Sequence, residues 1–427
     1  MNTPRAQFAV FFLIVTAIYG GVHAYLWWRI TRQLALRAGS PAALGIALGF
    51  AALVVTPFLG RMLRDGSPLF NAVELFTFIW MGAAFYLFFL NLGADLWNLA
   101  AAIGRLVAPP GPLPALGGPR LFVGVAIAAA LIVGWAAIDA ANVRLRRVTI
   151  PTAKLAPGSP ALRIVQVSDV HLGMLVGRRR LETILRRVRE AQPDLVVATG
   201  DILDAVGDHL EPLAAMWREL APPLGKFAVT GNHEYYSGVA RAVAFLEEAG
   251  FRTLRDQTAA IPGKANLIGV EYRGPRALTG SAPPVRPLAQ LVGAADARLF
   301  TLLLKHLPTG FEEETAPLGI DLQLSGHTHD GQLWPFRWLV RLSFRHTAGL
   351  VRAGESRLYV SRGTGTWGPP LRFLAPPEVT LIEVVPASHE DPSAALRSSH
   401  LPATGTSPSQ HLLVARLASG PSCEAGN

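Results

Sequence analysis

Two histidines one residue apart, His327 and His329, sit in the run Ser325-Gly326-His327-Thr328-His329-Asp330-Gly331-Gln332, directly after the apolar segment Ile320–Leu324. Side chains alternate across a strand, so residues two apart project the same way, and glycine at Gly326 lets the backbone turn out of the sheet. Paired imidazoles suit borderline transition metals, although two solvated surface histidines would look the same in isolation. Other segments repeat the arrangement. Asp169-Val170-His171 follows the apolar run Leu162–Ser168, and Gly200-Asp201-Ile202-Leu203-Asp204 follows Asp194–Thr199. Gly231-Asn232-His233-Glu234 follows Lys226–Thr230, and His306 closes Leu299–Lys305. Polar groups at the ends of hydrophobic strands are costly unless something pairs them. Carboxylate, imidazole and amide oxygen together suit Mn, Fe or Zn, whereas Mg would want more oxygens. There is no Gly-x-Ser-x-Gly, and the single cysteine, Cys423, lies in the carboxyl-terminal tail, so neither supplies a side-chain nucleophile.

These residues need strands to deliver them to one place. Besides the five runs above, Ala265–Val270, Arg357–Ser361 and Glu378–Val385 have strand character. Arg178–Ala191 has helical spacing, with Leu181, Ile184, Leu185 and Val188 on one stripe. Helices are also expected over His209–Leu220 and over Val239–Ala249, which stops at Gly250. Strands alternating with helices, then mostly strands, predict an α/β domain over 162–386 built from two packed mixed β-sheets flanked by helices. The tail, 387–427, is rich in Ser, Pro, Ala and Gly without periodicity and is expected to be disordered.

The amino-terminal third has a different composition. Half of the 427 residues are hydrophobic and only 16% are charged, which is high for a chain with no membrane part. Four uncharged blocks, Phe8–Trp28, Pro41–Gly60, Leu75–Ala94 and Leu121–Ile138, are each close to the ~20 residues that cross a bilayer. They predict an all-α region, 1–142, of four transmembrane helices at about 8–28, 41–60, 72–96 and 120–141, joined by a basic linker over 143–161. A cleavable signal would explain the first block and not the next three. Four spans put both ends of the region on one side of the membrane. With the amino terminus inside, that side collects Arg5, Arg61, Arg64, Arg144, Arg146, Arg147 and Lys154, which predicts a cytoplasmic catalytic domain in a multi-pass protein of a bacterial inner membrane. The formal charge of +9 suits anionic lipid headgroups; no stacking-aromatic or repeat pattern suggests a nucleic-acid partner.

The ordered set Asp-x-His, Gly-Asp-x-x-Asp, Gly-Asn-His-Glu, a lone His and Gly-His-Thr-His resembles the calcineurin-like metallophosphoesterases over about Leu162–Val385. The closing Ser361-Arg362-Gly363-Thr364-Gly365 with Pro376-Pro377-Glu378 is similar to the branch of bacterial YkuE/YaeI-type phosphodiesterases. The resemblance implies a dinuclear site, with Asp169, His171 and His329 on one ion and Asn232, His306 and His327 on the other, bridged by Asp201. It implies a catalytic role for His233, which stabilises the transition state or protonates the leaving group. Asp204 is expected to orient a histidine, and Glu234 either supports the site or only starts a helix. Asp330 stands where related sequences usually carry Gly, and Arg337 or Arg362 could pair with it. Arg178-Arg179-Arg180 could bind phosphate or lipid headgroups, or simply form a solvated helix face. The expected activity is hydrolysis of a phosphodiester, phosphomonoester or pyrophosphate bond, with lipid-linked phosphates among the substrates. The competing class is a membrane sensor or transport protein with a non-catalytic metal-binding domain.

Overall fold

The computed structural model describes residues 4–62, 68–107, 114–173, 176–204, 210–273 and 285–387. Four helices come first: α1 (Pro4–Gln33), α2 (Pro41–Met62), α3 (Pro68–Val107) and α4 (Gly118–Ala141). Among the described residues, Asn71–Leu106 in α3 and Gly118–Ala141 in α4 are long and apolar enough to cross a membrane, and Pro41–Pro57 is a shorter apolar stretch. Four helices are therefore present, and two of them meet the length and composition of a span. Polar side chains join α1 to α3. Arg29 pairs with Asp95 at 2.8 Å and donates to Asn91, and Trp80 donates to His23 at 2.9 Å.

The segment expected as a basic linker is a strand over Arg144–Thr152, β1. Exposed Arg144 and Arg146 alternate with less exposed Leu145, and further along Ile150 and Thr152 are buried beside exposed Thr149 and Pro151. That half-buried alternation is an edge strand's pattern, which the run of basic residues hides. It pairs in parallel with β12 (Glu378–Pro386). The disorder expected over 387–427 falls outside the described residues except for Ala387.

Two six-stranded mixed sheets follow, as expected. The first has the order β1, β12, β2 (Leu162–Val167), β3 (Leu195–Thr199), β4 (Lys226–Val229), β5 (Arg252–Thr253). The second has the order β10 (Gly349–Ala353), β11 (Ser356–Val360), β9 (Leu322–Ser325), β8 (Phe300–Leu304), β7 (Ala265–Gly269), β6 (Gln257–Ile261). Strand alternation explains the layers. Ile164 and Val197 face the core between the sheets, while their neighbours Val165 and Val196 face the core that contains α5 (Arg178–Glu190), α6 (Glu211–Arg218) and α8 (Val239–Glu248). In α5 the stripe Leu181, Ile184, Leu185 and Val188 is buried, as its spacing predicts. Each such side chain stabilises by roughly 1.5–3 kcal/mol. Within their sheets β2, β3 and β4 are parallel, as are β7, β8 and β9. Their carboxyl ends meet where the sheets abut.

Candidate metal centre

Each chemistry-bearing residue sits just past a strand end, on backbone that turns sharply. Asp169, His171, Asp201, His327 and His329 all have φ between +50° and +71°, a region that side chains other than glycine seldom occupy. Such conformations cost about 1–3 kcal/mol each and persist only where surrounding bonds enforce them. Here the enforcing bonds cross between loops. The Asp169 N–H donates to Gly200 O at 3.0 Å, the His171 N–H to Asp201 O at 3.0 Å, and the Gly326 N–H to His306 O at 3.0 Å.

His327 and His329 therefore do not alternate along a strand. β9 ends at Ser325, and both residues lie in the following turn with left-handed backbone. The role of Gly326 also differs from the expected turn. A Cβ there would lie 2.0 Å from Ser168 Oγ and 2.2 Å from Asp169 Oδ2, so a bare backbone is what lets β2 and β9 deliver their residues together. Gly231 does the same beside Asp201, whose Oδ1 would be 2.1 Å from an added Cβ.

Six of the seven expected ligands, together with His233, form three overlapping clusters of possible metal-binding atoms: Asp169, His171 and His329; His171, Asp201 and His233; Asp201, His306 and His327. Asn232 joins the third, its Oδ1 3.1 Å from His306 Nε2. His306 Nδ1 lies 2.8 Å from Thr199 O, which holds the ring proton there and turns the Nε2 lone pair inward. Around that Nε2 stand Asn232 Oδ1, Asp201 Oδ2 at 3.2 Å and His327 Nδ1 at 3.2 Å. Two oxygens and two imidazole nitrogens so gathered make a donor set that fits a cation. The buried Nδ1 of His171 makes no hydrogen bond and lies 3.8 Å from Asp204 Oδ2.

The charges agree. Burial lowers His171 to about 4 and His327 to about 3, so both rings are neutral and able to donate lone pairs. Burial works against charge on Asp201, but His306, hydrogen bonded to it, with His233 and His171, holds its carboxyl well below the usual range. Burial likewise opposes charge on His306, yet Asp201 and Asp169 push it up to about 10. The lone-pair cage thus attracts a positive charge, which a divalent cation would supply more strongly than a proton.

His329 is held differently. Its Nε2 lies 3.1 Å from His171 Nε2 and 3.5 Å from Asp169 Oδ1, and its Nδ1 accepts from Arg372 Nη2 at 2.9 Å. A guanidinium only donates, so the ring, kept neutral by burial, carries its proton on Nε2, and a neutral imidazole could ligate at that atom only if the proton moved to Nδ1 and the Arg372 contact changed. Arg372 is fully buried and also donates to Gly365 O, Arg362 O and His329 O. Sequence reasoning missed it, because a lone Arg between Leu371 and Phe373 carries no motif. Arg372→Met should strand these buried carbonyls at ~1–3 kcal/mol each and release the His329 turn. A fall in melting temperature well beyond that of Arg298→Met, a nearly fully exposed control, checks this.

The supporting residues have clear places. Asp204 Oδ1 holds His233 Nδ1 at 2.6 Å, and the His233 N–H donates to Asp201 Oδ1 at 2.9 Å. Burial opposes charge on His233, but Asp204 and Asp201 raise its pKa above the ordinary value. Glu234, left open between two readings, accepts from the N–H groups of Gly231, Asp201, Ile202 and Leu203 at 2.7–3.1 Å, binding the β3 and β4 loops together. Glu234→Ala should strand buried donors at ~1–3 kcal/mol each, lowering the melting temperature far more than Glu355→Ala on the surface. Asp330 turns to Arg337 at 2.6 Å and Arg362 at 3.2 Å, the pairing its sequence position suggested. In the basic run, Arg178 pairs with Glu182 in solvent, whereas Arg180 donates to Thr364 O and is lowered to about 10 by burial.

Two mixed sheets whose abutting strand ends gather carboxylates, imidazoles and an amide define a metal-dependent phosphoester hydrolase. Residues 162–331 match the family model for calcineurin-like phosphoesterases. An uncharacterized metallophosphoesterase of Aquifex aeolicus is 36% identical over 263 residues, covering 60% of this chain and 97% of that protein. The metallophosphoesterase YkuE of Bacillus subtilis is 32% identical, covering 55% of this chain and 82% of its own. A Danio rerio protein described as a transmembrane protein with metallophosphoesterase domain is 31% identical over 376 residues, covering 84% and 85%. The chain belongs to the calcineurin-like metallophosphoesterases. That transmembrane relative and the two apolar helices together indicate membrane association.

Proposed function

We propose that this chain is a membrane-anchored phosphoesterase working through two divalent cations. The single observation behind this reading is that Asp201 belongs to two ligand clusters at once, one containing His171 and the other His306 and His327. Asp169, His171 and His329 would hold one cation and Asn232, His306 and His327 the other, with Asp201 between them. Mn, Fe or Zn suits these donors. Bound cations would supply an acidified water and neutralise charge on the phosphoryl oxygens. His233, held by Asp204 and kept protonated by its neighbours, gives a proton to the leaving oxygen. Asp201 positions that histidine through its backbone N–H. The burial of this cluster limits competing water.

All four amino-terminal helices would span a bacterial inner membrane, with α1 held to α3 by the Arg29, Asp95 and Asn91 contacts and α2 held to α1 by Trp27 donating to Ala43 O, since polar groups at such depth need partners. The basic residues at the catalytic end favour the cytoplasmic side. A lipid-linked phosphodiester, phosphomonoester or pyrophosphate is the substrate class this placement favours. A purified-protein assay with bis-p-nitrophenyl phosphate and lipid pyrophosphates, with and without Mn, tests the reading. Metal-dependent turnover is expected; no turnover on any phosphoester would favour the metal-sensing alternative. A reporter fused to the carboxyl terminus decides the side.

A further inference from the structure

The catalytic domain turns an apolar rim toward the helix bundle. α10 (Arg337–Ser343) fixes one face through Arg337, which bonds Asp330 and Leu374 O. Its other side chains Trp338, Leu339 and Leu342 are 58%, 55% and 76% exposed. Such exposure of large apolar groups on one short helix calls for a covering partner. Trp367, whose carbonyl accepts from Gln332 close before α10, is also exposed, and its ring lies 5.8 Å from that of His233.

What covers this rim follows from the depth at which it meets the bundle. Phe336 packs on Phe85 of α3 with ring centroids 6.3 Å apart. Leu371 presses so closely on Gly82 that a Cβ there would be 2.2 Å from Leu371 Cδ1, and the Arg372 N–H donates to Ala136 O of α4. At the far end, Asn98 bonds Leu116 just before α4 begins. Phe336 and Leu371 therefore meet α3 inside Asn71–Leu106, so the rim borders the part of α3 that is long and apolar enough to cross a membrane. Trp338, capped by Arg341 at 5.0 Å, has the pairing of aromatic and cation that suits the headgroup layer.

We propose that the α10 rim is seated in the bilayer interface and opens the metal centre to phosphate headgroups arriving along the membrane. The second clause rests on the phosphoesterase reading; the first does not. The test is labelling by a membrane-impermeant maleimide, with the sole cysteine Cys423 replaced by Ser. Full-length protein carrying Leu342→Cys is placed one copy per nanodisc of phosphatidylcholine and phosphatidylglycerol, with Glu355→Cys as the solvent reference. Labelling of Leu342→Cys should be at least tenfold slower. Equal rates would overturn the proposal, as would protection in native membranes that vanishes in single-copy nanodiscs, since that pattern belongs to a protein partner. As an independent measure, brominated phosphatidylcholine should quench the fluorescence that Trp338→Phe removes, and an unquenched Trp338 would also overturn it. A chain that hydrolyses no phosphoester yet shields Leu342→Cys would retire the phosphoesterase reading and leave the seated rim in place.

Discussion

Asp201→Asn should abolish metal-dependent phosphoesterase turnover, with a fall of more than ~10²-fold in kcat, and should lower the metal content of purified protein. Losing a residue that merely supports a ligand costs 10–100-fold, and Asp201 stands inside two clusters, so the loss should exceed that range. The substitution keeps the size of the side chain and an oxygen that can still accept the His233 N–H. It removes the charge toward which His306, His233 and His171 are drawn. His306, now pushed up to about 10 mainly against its own burial by this carboxylate, should lose most of that rise. Metal analysis of the purified variant separates this cause from misfolding. Full metal content with parental turnover would refute a role between two ions.

His233→Asn should lower kcat by ~10²–10⁴-fold while leaving metal content close to parental, because a proton donor is lost and the ligand set remains. The pH profile carries the sharper information. Asp204 and Asp201 raise the His233 pKa despite burial, so the protonated ring persists to higher pH than an ordinary histidine. Activity that depends on this proton is present below the raised pKa and is lost as pH climbs through it. Asp204→Asn takes away the 2.6 Å partner and should move that alkaline limb to lower pH. An alkaline limb that stays in place in Asp204→Asn would show that another group limits the reaction.

Much of this site was legible because local rules governed it. Apolar runs of strand length ending in Asp, Asn or His predict that parallel strands deliver ligands to one edge, and Asp169, Asp201, Asn232, His306 and His327 indeed lie together. The helical stripe of α5 and the two mixed sheets followed from periodicity in the same way. Less visible were features fixed by partners distant in sequence. β1 looked like a linker because its register is set by β12, more than two hundred residues later. Its arginines point outward on an edge, so composition resembled that of a loop.

Residue types and their order were enough to determine the chemistry of this protein: an imidazole and carboxylate cage, a histidine beside it, and an apolar region ahead of it. Only the tertiary structure decided how His327 and His329 part company, since that depends on left-handed backbone held by bonds to other loops and not on strand alternation. It alone placed Arg372 against His329 and Ala136 at once, joining the metal centre to α4. Long-range contacts of this kind leave no periodic trace, because a buried arginine's partners are carbonyls, which every residue carries.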